Sequence, residues 1–510
     1  MNSMAQVLAR VPLFTLYRRI GRPRMLPLNL TLSPSPKCNS RCLTCNIWMK
    51  REDELTLDEW DRILASLGRA PYWFTISGGE PLMYPHIVEL AQLAYKHCRP
   101  GVINIPTNSI LSSIPERVER IARSCPDSHL IVNLSLDGVG EKHDLIRGIP
   151  GNFDKFERRL EQLLSLRNSL RNLTVGIHSV ISRFNVHDVD ELIGYADRSG
   201  VDQFITEIAE PRIELDTVGL HITPSAADYG EAVERVIAYA KGKRFRGMAR
   251  FTEALRIEYY KLVRRILEEK DQVIDCYAGW ISAQIYSDGT VWPCCVRADN
   301  LGNLRDYGYD FKRIWFGEEI AKVRRSIAAK ECHCTLANAS YTNLLQNVAA
   351  LARASANLLR MPANPASSGI ENNTSAGTAA TSRKNLRAAP ETSGIRADSN
   401  DAFPWLNGFQ HRTEKREHYA EEALAAYKLG IKARGAVAGV TIQTGPDCCE
   451  AARRLAPGRT YRPEQAPHLP LPDCPQGRRC GCVYRPVMNY QEAEERSAGV
   501  PGVAMAKAKP

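Results

Sequence analysis

Between residues 28 and 208 the chain alternates two apolar patterns. Short runs dominated by apolar residues, at 28–32, 73–76, 101–105, 130–134, 173–181 and 204–207, have the length and composition of buried strands. Between them, apolar residues recur at helical spacing, at 57–67 and at about 85–97, 153–166 and 188–198. The first of these is the clearest: Trp60, Ile63, Leu64 and Leu67 share one face, Thr56 and Glu59 form a capping box, and Gly68 stops the helix. Six strands alternating with helices predict an α/β fold with a parallel sheet, outer helices and ligands at the carboxyl ends of the strands.

Beyond residue 208 the pattern loosens. Stretches 224–242 and 252–270 read as helices, and 285–292 as a hairpin around Asp288-Gly289. From about 360 to 401 the composition shifts to Ala, Ser, Asn, Thr and Gly, which predicts a flexible linker. A last helix is predicted over 417–429, with Tyr419, Ala420, Leu424 and Tyr427 on one side. Pro467, Pro470, Pro472 and Pro475 then leave little room for regular structure. The expected organisation is a basic segment at 1–25, a sheet domain at 26–230, a smaller domain at 231–350, a linker at 351–402, a helix with a Cys-rich unit at 403–495, and a tail at 496–510.

A length of 510 residues with 44% hydrophobic content supports several cores. No apolar run approaches about 18 residues, so a soluble, cytoplasmic protein is expected. Fifteen cysteines in a chain of this size point to a reducing compartment and metal binding, not to a disulfide scaffold. Cys98 and Cys125 stand alone and read as small buried hydrophobes. The net charge of +10 is concentrated at the start, where nine Arg and Lys residues precede the first acidic residue, Glu52. Met4, Val7, Leu8, Val11 and Phe14 fall at helical spacing there, interrupted by Pro12. Such a segment either covers the bottom of a barrel or touches an anionic membrane. A basic segment alone has no base-reading element, so no nucleic-acid partner is expected.

The candidate chemistry begins after the first strand. Cys38, Cys42 and Cys45 crowd one loop, one thiolate short of a closed zinc tetrahedron, whereas three thiolates on a [4Fe-4S] cube leave one iron open. After the second strand comes Ser77-Gly78-Gly79-Glu80-Pro81, whose paired glycines permit close backbone approach and whose glutamate offers an acceptor to an ammonium. Together the Cys-x-x-x-Cys-x-x-Cys loop and the Gly-Gly-Glu-Pro turn resemble the radical S-adenosylmethionine (SAM) superfamily. That resemblance implies a partial (β/α)6 TIM-like barrel. It also implies a [4Fe-4S] cluster on Cys38, Cys42 and Cys45, and SAM as a second cofactor, cleaved to a 5′-deoxyadenosyl radical that takes hydrogen from a substrate. Gly78, Gly79, Glu80 and Pro81 would bind the methionyl amine. Asn108, in a Thr-Asn-Ser triplet resembling the family's Thr-Asn-Gly, and Ser135 and Asp137 of Ser-Leu-Asp-Gly would lie near SAM. Arg147 is a candidate partner for a carboxylate, its alternative being a surface ion pair. The residue before the third cysteine, aromatic in the family, is Thr44 here, which would pass adenine contact to Ile47 or Trp48. An electron donor such as flavodoxin or ferredoxin is implied as a partner.

A second cysteine group, Cys276, Cys294, Cys295, Cys332 and Cys334, resembles the SPASM or twitch module of such enzymes. It implies one auxiliary [4Fe-4S] cluster held by Cys276, Cys294 or Cys295, Cys332 and Cys334, with His333 a further candidate and a zinc knuckle the alternative. A third group, Cys448, Cys449, Cys474, Cys480 and Cys482, has enough thiols to close around zinc, the alternative being a loosely ordered tail with reduced thiols. The implied substrate is a peptide, or else a small molecule or lipid precursor. A non-catalytic iron-sulfur electron carrier is the competing class, and it has no need of a SAM amine site.

Overall fold

Six consecutive strands run parallel and in sequence order. They are β1 (Asn29–Leu32), β2 (Trp73–Ile76), β3 (Val102–Thr107), β4 (His129–Ser135), β5 (Leu173–Ile181) and β6 (Gln203–Ile208). Each is paired with the next, for example Leu30 with Phe74 and Ile105 with Val132. The computed structural model describes residues 4–243, 247–360, 420, 424, 437–444, 448–455, 459–477, 480 and 482–488. The chain divides into two units, 1–370 and 371–510.

In the first unit, α1 (Met4–Ile20) precedes the sheet and six helices follow its strands: α2 (Leu57–Leu67), α3 (Ile87–Cys98), α4 (Ile114–Ser124), α5 (Glu141–Arg147), α6 (Asn152–Arg167) and α7 (Val189–Ser199). The expected Thr56–Glu59 capping box is present, and Trp60, Ile63, Leu64 and Leu67 are buried. Cys98 and Cys125 are buried in the main core, as expected of lone thiols. Helix α4 is not among the expected helices, although its buried residues, Ile114, Val118, Ile121 and Ala122, fall at helical spacing with charges on the other face. Its signal is Pro115 in the first turn, where no backbone N–H is needed.

The expected hairpin is β7 (Ser282–Ile285) with β8 (Val291–Trp292), and it does more than turn. β7 also runs parallel to β1, Leu30 against Ala283, so the sheet order is β6-β5-β4-β3-β2-β1-β7-β8 and the barrel stays open. The second cysteine group is thereby joined to the edge of the strand that carries the first. Helices α8 (Ala226–Gly242), α9 (Gly247–Glu269), α10 (Phe311–Trp315), α11 (Glu318–Ala328), α12 (Ala337–Leu345) and α13 (Val348–Arg360) complete this unit.

Arg305 clamps the start of α2: its Nε lies 2.6 Å from Glu59 Oε1 and its Nη1 2.8 Å from Asp53 Oδ2. This holds the Glu59 carboxyl down at about 2. A depressed carboxylate contributes stability above its unfolded pKa and loses it as pH falls through the folded value. Glu59→Gln is therefore expected to cost about 1–3 kcal/mol at pH 7, and to flatten the stability loss between roughly pH 4.5 and 2 in urea unfolding.

α1 is continuous through Pro12, so the interruption expected there does not occur. Phe14 and Tyr17, two and five residues beyond, are buried with Leu28, Tyr277, Trp280 and Ile327, and this packing holds the helix across the missing N–H. Leu28 precedes β1, so this face of α1 covers the amino end of the sheet.

The second unit contains an antiparallel pair, β9 (Val437–Gln443) with β10 (Val483–Met488), more regular structure than its prolines suggest. Tyr484 anchors it, donating from its hydroxyl to Pro467 O (2.7 Å) and accepting from Leu469 N (2.9 Å). The linker expected at 351–402 is helical over its first ten residues, which belong to α13; the rest of it and most of the predicted helix 417–429 lie outside the described residues.

Candidate active site

The loop bearing Cys38, Cys42 and Cys45 leaves the carboxyl end of β1 and is gripped from three sides. The turn after β2 donates Gly79 N to Ser35 O and Glu80 N to Lys37 O, both at 2.9 Å. Arg41 N and Leu43 N donate to the carbonyls of Arg147 and Ile146 at the end of α5, again at 2.9 Å. Asn46 N donates to Leu215 O, 2.9 Å away, in the loop after β6.

This explains the paired glycines. A Cβ at Gly78 would stand 2.4 Å from Ser35 O, and one at Gly79 2.2 Å from Lys37 O and 2.5 Å from Pro36 O. What approaches them closely is the backbone of the cysteine loop. Gly79→Ala is expected to displace that loop and to lower iron uptake by the first cysteine group; iron analysis beside SAM-binding titration reads the effect.

Three kinds of donor point at the thiols. Ser40 N lies 3.4 Å from Cys38 Sγ, Asn108 Nδ2 3.7 Å from the same sulfur, and Arg147 Nη1 3.7 Å from Cys42 Sγ. Burial raises all three thiol pKa values, Cys38 to about 11, while Arg147 pulls Cys38 and Cys42 down. All three cysteines are free of disulfides. Buried thiols with N–H groups and a guanidinium aimed at them fit a site whose sulfurs become thiolates on metal, and so fit an iron-sulfur cluster.

Around the loop, the other predicted residues converge. Glu80 is buried: Oε1 accepts from Thr107 Oγ1 (2.8 Å) and Leu82 N (3.1 Å), and Oε2 from Asn108 N (2.7 Å). Burial nevertheless pushes its carboxyl up to about 7. Pro81, also buried, opens the short 3-10 turn that follows. Asn108 Nδ2 also reaches Asn39 Oδ1 at 2.7 Å and Ser40 Oγ at 3.0 Å, so this side chain steadies the cysteine loop. Ser109, where the family has glycine, keeps the left-handed backbone, φ +66°.

Ser135 and Asp137 lie buried at the end of β4. Asp137 Oδ2 is 2.9 Å from Arg147 Nε, and its Oδ1 accepts from Val180 N at 2.8 Å. Arg147 is thus not a surface ion pair: a buried guanidinium joins Asp137 to Cys42. His143 stands alongside, kept neutral by burial and by Arg147, which push its pKa down to about 3, and its Nδ1 accepts from Asp137 N. Thr44 and Ile47 are buried, whereas Trp48 carries the Arg41 guanidinium 4.1 Å from its ring centroid.

In the second group, Cys276, Cys294, Cys332 and Cys334 feel one another's charge. Burial raises the Cys276, Cys294 and Cys334 thiols, Cys294 to about 12, and Arg297 Nη1 lies 3.6 Å from Cys332 Sγ. Cys276, Cys332 and Cys334 line one cleft with Asn343 and the exposed His333. Cys295 sits differently, buried against Leu336 and Ala339 and close to Arg212.

Sequence reasoning missed the loop after β6. Glu207 stands near the end of β6, and Glu210, Arg212 and Glu214 follow just beyond it; that place at a strand end is the signal that marks them. Arg212 Nη2 is 3.2 Å from Glu210 Oε1 and 3.8 Å from Glu207 Oε2. Glu210 Oε2 accepts from Thr335 N at 2.9 Å, while Glu214 accepts from Ser33 Oγ (3.3 Å) and Gln284 Nε2. The backbone of Glu214 donates to Cys295 O at 3.3 Å, so this loop touches both cysteine-bearing segments. His178 lies 3.5 Å from Glu207 Oε1, as a packed residue and not a thiol-group neighbour.

The third group differs. Cys480 and Cys482 belong to the second unit's small core, with Cys448, Cys449 and Cys474 packed against it. Among the described residues no three His, Cys, Asp or Glu side chains are grouped to hold a single metal ion. The Cys480 thiol is nevertheless in side-chain contact with those of Cys474 and Cys482, so three of the five candidate thiols come together.

Residues 32–196 match the Radical SAM superfamily, and residues 276–335 match the SPASM iron-sulfur cluster-binding domain. The chain carries a radical SAM domain and a SPASM domain. It is an enzyme, with [4Fe-4S] clusters and SAM as the cofactors these domains imply. An AdoMet-dependent heme synthase of Methanosarcina barkeri is 26% identical over 325 residues, 59% of this radical SAM chain and 85% of the relative. Mycofactocin maturase MftC of Mycobacterium ulcerans is 31% identical over 43% of the chain, and the match spans only 56% of the maturase. PqqA peptide cyclase of Ruegeria pomeroyi is 27% identical over 52% of the chain and 67% of the cyclase. Among solved structures, Streptococcus suis SuiB aligns with 63% of the chain and 75% of its own, at 17% identity and a TM-score of 0.45.

Proposed function

We propose that this radical SAM enzyme abstracts hydrogen from a peptide substrate, with Cys38, Cys42 and Cys45 holding the SAM-binding cluster and Cys276, Cys294, Cys332 and Cys334 the auxiliary one. When bound, the first cluster and SAM supply a 5′-deoxyadenosyl radical able to take hydrogen from an unactivated carbon. The chain's own residues do the positioning. Glu80 and the turn that carries it present an acceptor toward the methionyl amine, Asn108 fixes the cysteine loop, and Arg147, neutralised by Asp137, sets the charge at Cys42. Gly78, Gly79, Pro81 and Ser135 shape the same wall. The radical needs a dry pocket, and the buried side chains of β1 to β6 exclude water beneath it.

The observation that favours a peptide is the charge of the loop after β6. Two buried glutamates, Glu210 and Glu214, and the half-buried Glu207 stand there with one arginine, Arg212, which pairs with Glu207 and Glu210. A haem-type tetrapyrrole carries carboxylates, and such a lining repels them; an amide backbone or a cationic side chain meets no such cost. The expected result is that pooled synthetic peptides raise 5′-deoxyadenosine release under reducing, anaerobic conditions. Stimulation by a carboxylated tetrapyrrole and not by peptides would overturn the substrate class.

The assignment of Cys294 over Cys295 has its own test. Cys294→Ser is expected to lose about four of roughly eight irons on reconstitution, the content of one cube of two. Cys295→Ser is expected to keep them, and equal losses in the two variants would contradict the assignment.

A further inference from the structure

A helix that is apolar on two opposite sides is covered on both. α1 packs one side into the protein, with Phe14 and Tyr17 buried against Tyr277 and Trp280. Its other side carries Leu13, Leu16 and Ile20, which are 41%, 43% and 66% exposed. Their spacing of three and four residues puts them in one line.

The rim of this apolar patch is cationic. Arg19, Arg22 and Arg24 are exposed, and among the described residues none has an acidic partner; Arg24 lies only over the Phe316 ring. Arg10 and Arg18, by contrast, are held inward by Ala70 O and Asp275. The first acidic residue of the chain is Glu52, so nothing nearby in sequence offsets the rim.

We propose that this face of α1 rests on an anionic lipid bilayer, with Leu13, Leu16 and Ile20 at the headgroup boundary and the three arginines on lipid phosphates. Apolar side chains beside unpaired guanidinium groups match the two features of such a surface. A second copy of the chain matches less well, because a two-fold contact through this patch sets the same arginines against each other. No described helix is long and apolar enough to cross a membrane, so the contact is peripheral. α1 lies by the amino end of β1, and the cysteine loop leaves its carboxyl end, so a docked protein keeps its active-site mouth away from the lipid. The proposal stands independently of the substrate class.

The test is flotation of the full, anaerobically reconstituted protein with phosphatidylcholine vesicles, with and without phosphatidylglycerol. The protein is expected to float with the anionic vesicles, and a Leu13→Ser/Leu16→Ser/Ile20→Ser variant to lose partitioning roughly tenfold or more. Arg19→Gln/Arg22→Gln/Arg24→Gln is expected to lose it too, and supplies the test should the serine variant fold poorly. Circular dichroism and iron content verify folding of both. Failure of the wild type to float, or undiminished flotation of both variants, overturns the proposal. So does a wild-type dimer that the serine variant converts to monomer, which would make the face a self-association surface.

Discussion

Cys42→Ala is expected to bring 5′-deoxyadenosine formation to background while iron content falls by about half, as one of two cubes is lost. Cys42 is the member of the triplet that Arg147 touches, and its neighbours Arg41 and Leu43 are both hydrogen-bonded to the end of α5. Its removal leaves two thiols where three are needed, and leaves the Arg147 guanidinium with Asp137 alone. The SPASM cysteines lie on separate segments, at 276–334, so their iron is expected to stay. Chemical iron analysis and product quantitation on the same sample check both halves. Undiminished SAM cleavage would contradict the assignment of the triplet, and complete loss of iron would contradict the independence of the two groups.

Arg147→Met is expected to be the most destabilising single change in the site, by about 3–5 kcal/mol, because it leaves Asp137 charged and unpaired in a buried position. The side chains of Arg147 and Asp137 are only 11% and 3% exposed, so water cannot compensate. Removing both charges together is a milder change, since no lone buried charge remains. Urea unfolding of Arg147→Met and of Arg147→Met/Asp137→Asn is therefore expected to show the double variant the more stable of the two. A double variant no better than the single would mean that the guanidinium acts on the fold through the cysteine loop and not through Asp137. Both variants are expected to bind SAM weakly, because Arg147 also sets the charge at Cys42.

The strands were legible because each is a compact apolar run, and α2 because its cap and its stripe agree. β7's second partnership was not: pairing Leu30 with Ala283 joins residues far apart in sequence, and parallel neighbours carry no local turn signal. The motifs name residues that the fold brings together, but not always their work. Gly78 and Gly79 could be read as room for a ligand, whereas the nearest atoms belong to Ser35 and Lys37. Arg147 and Asp137 were separate candidates in the sequence, and only the folded sheet shows that they neutralise each other. Cys294 and Cys295 are adjacent and chemically identical, so only the placement of Arg212 beside Cys295 sets them apart.

The most direct test of the central claim is one measurement: 5′-deoxyadenosine and iron, on the anaerobically reconstituted full chain incubated with SAM and dithionite. Appearance of 5′-deoxyadenosine with about eight irons per chain is the expected result. A protein carrying that iron but cleaving no SAM, under several reductants and with peptide present, would contradict it and favour an electron-transfer role.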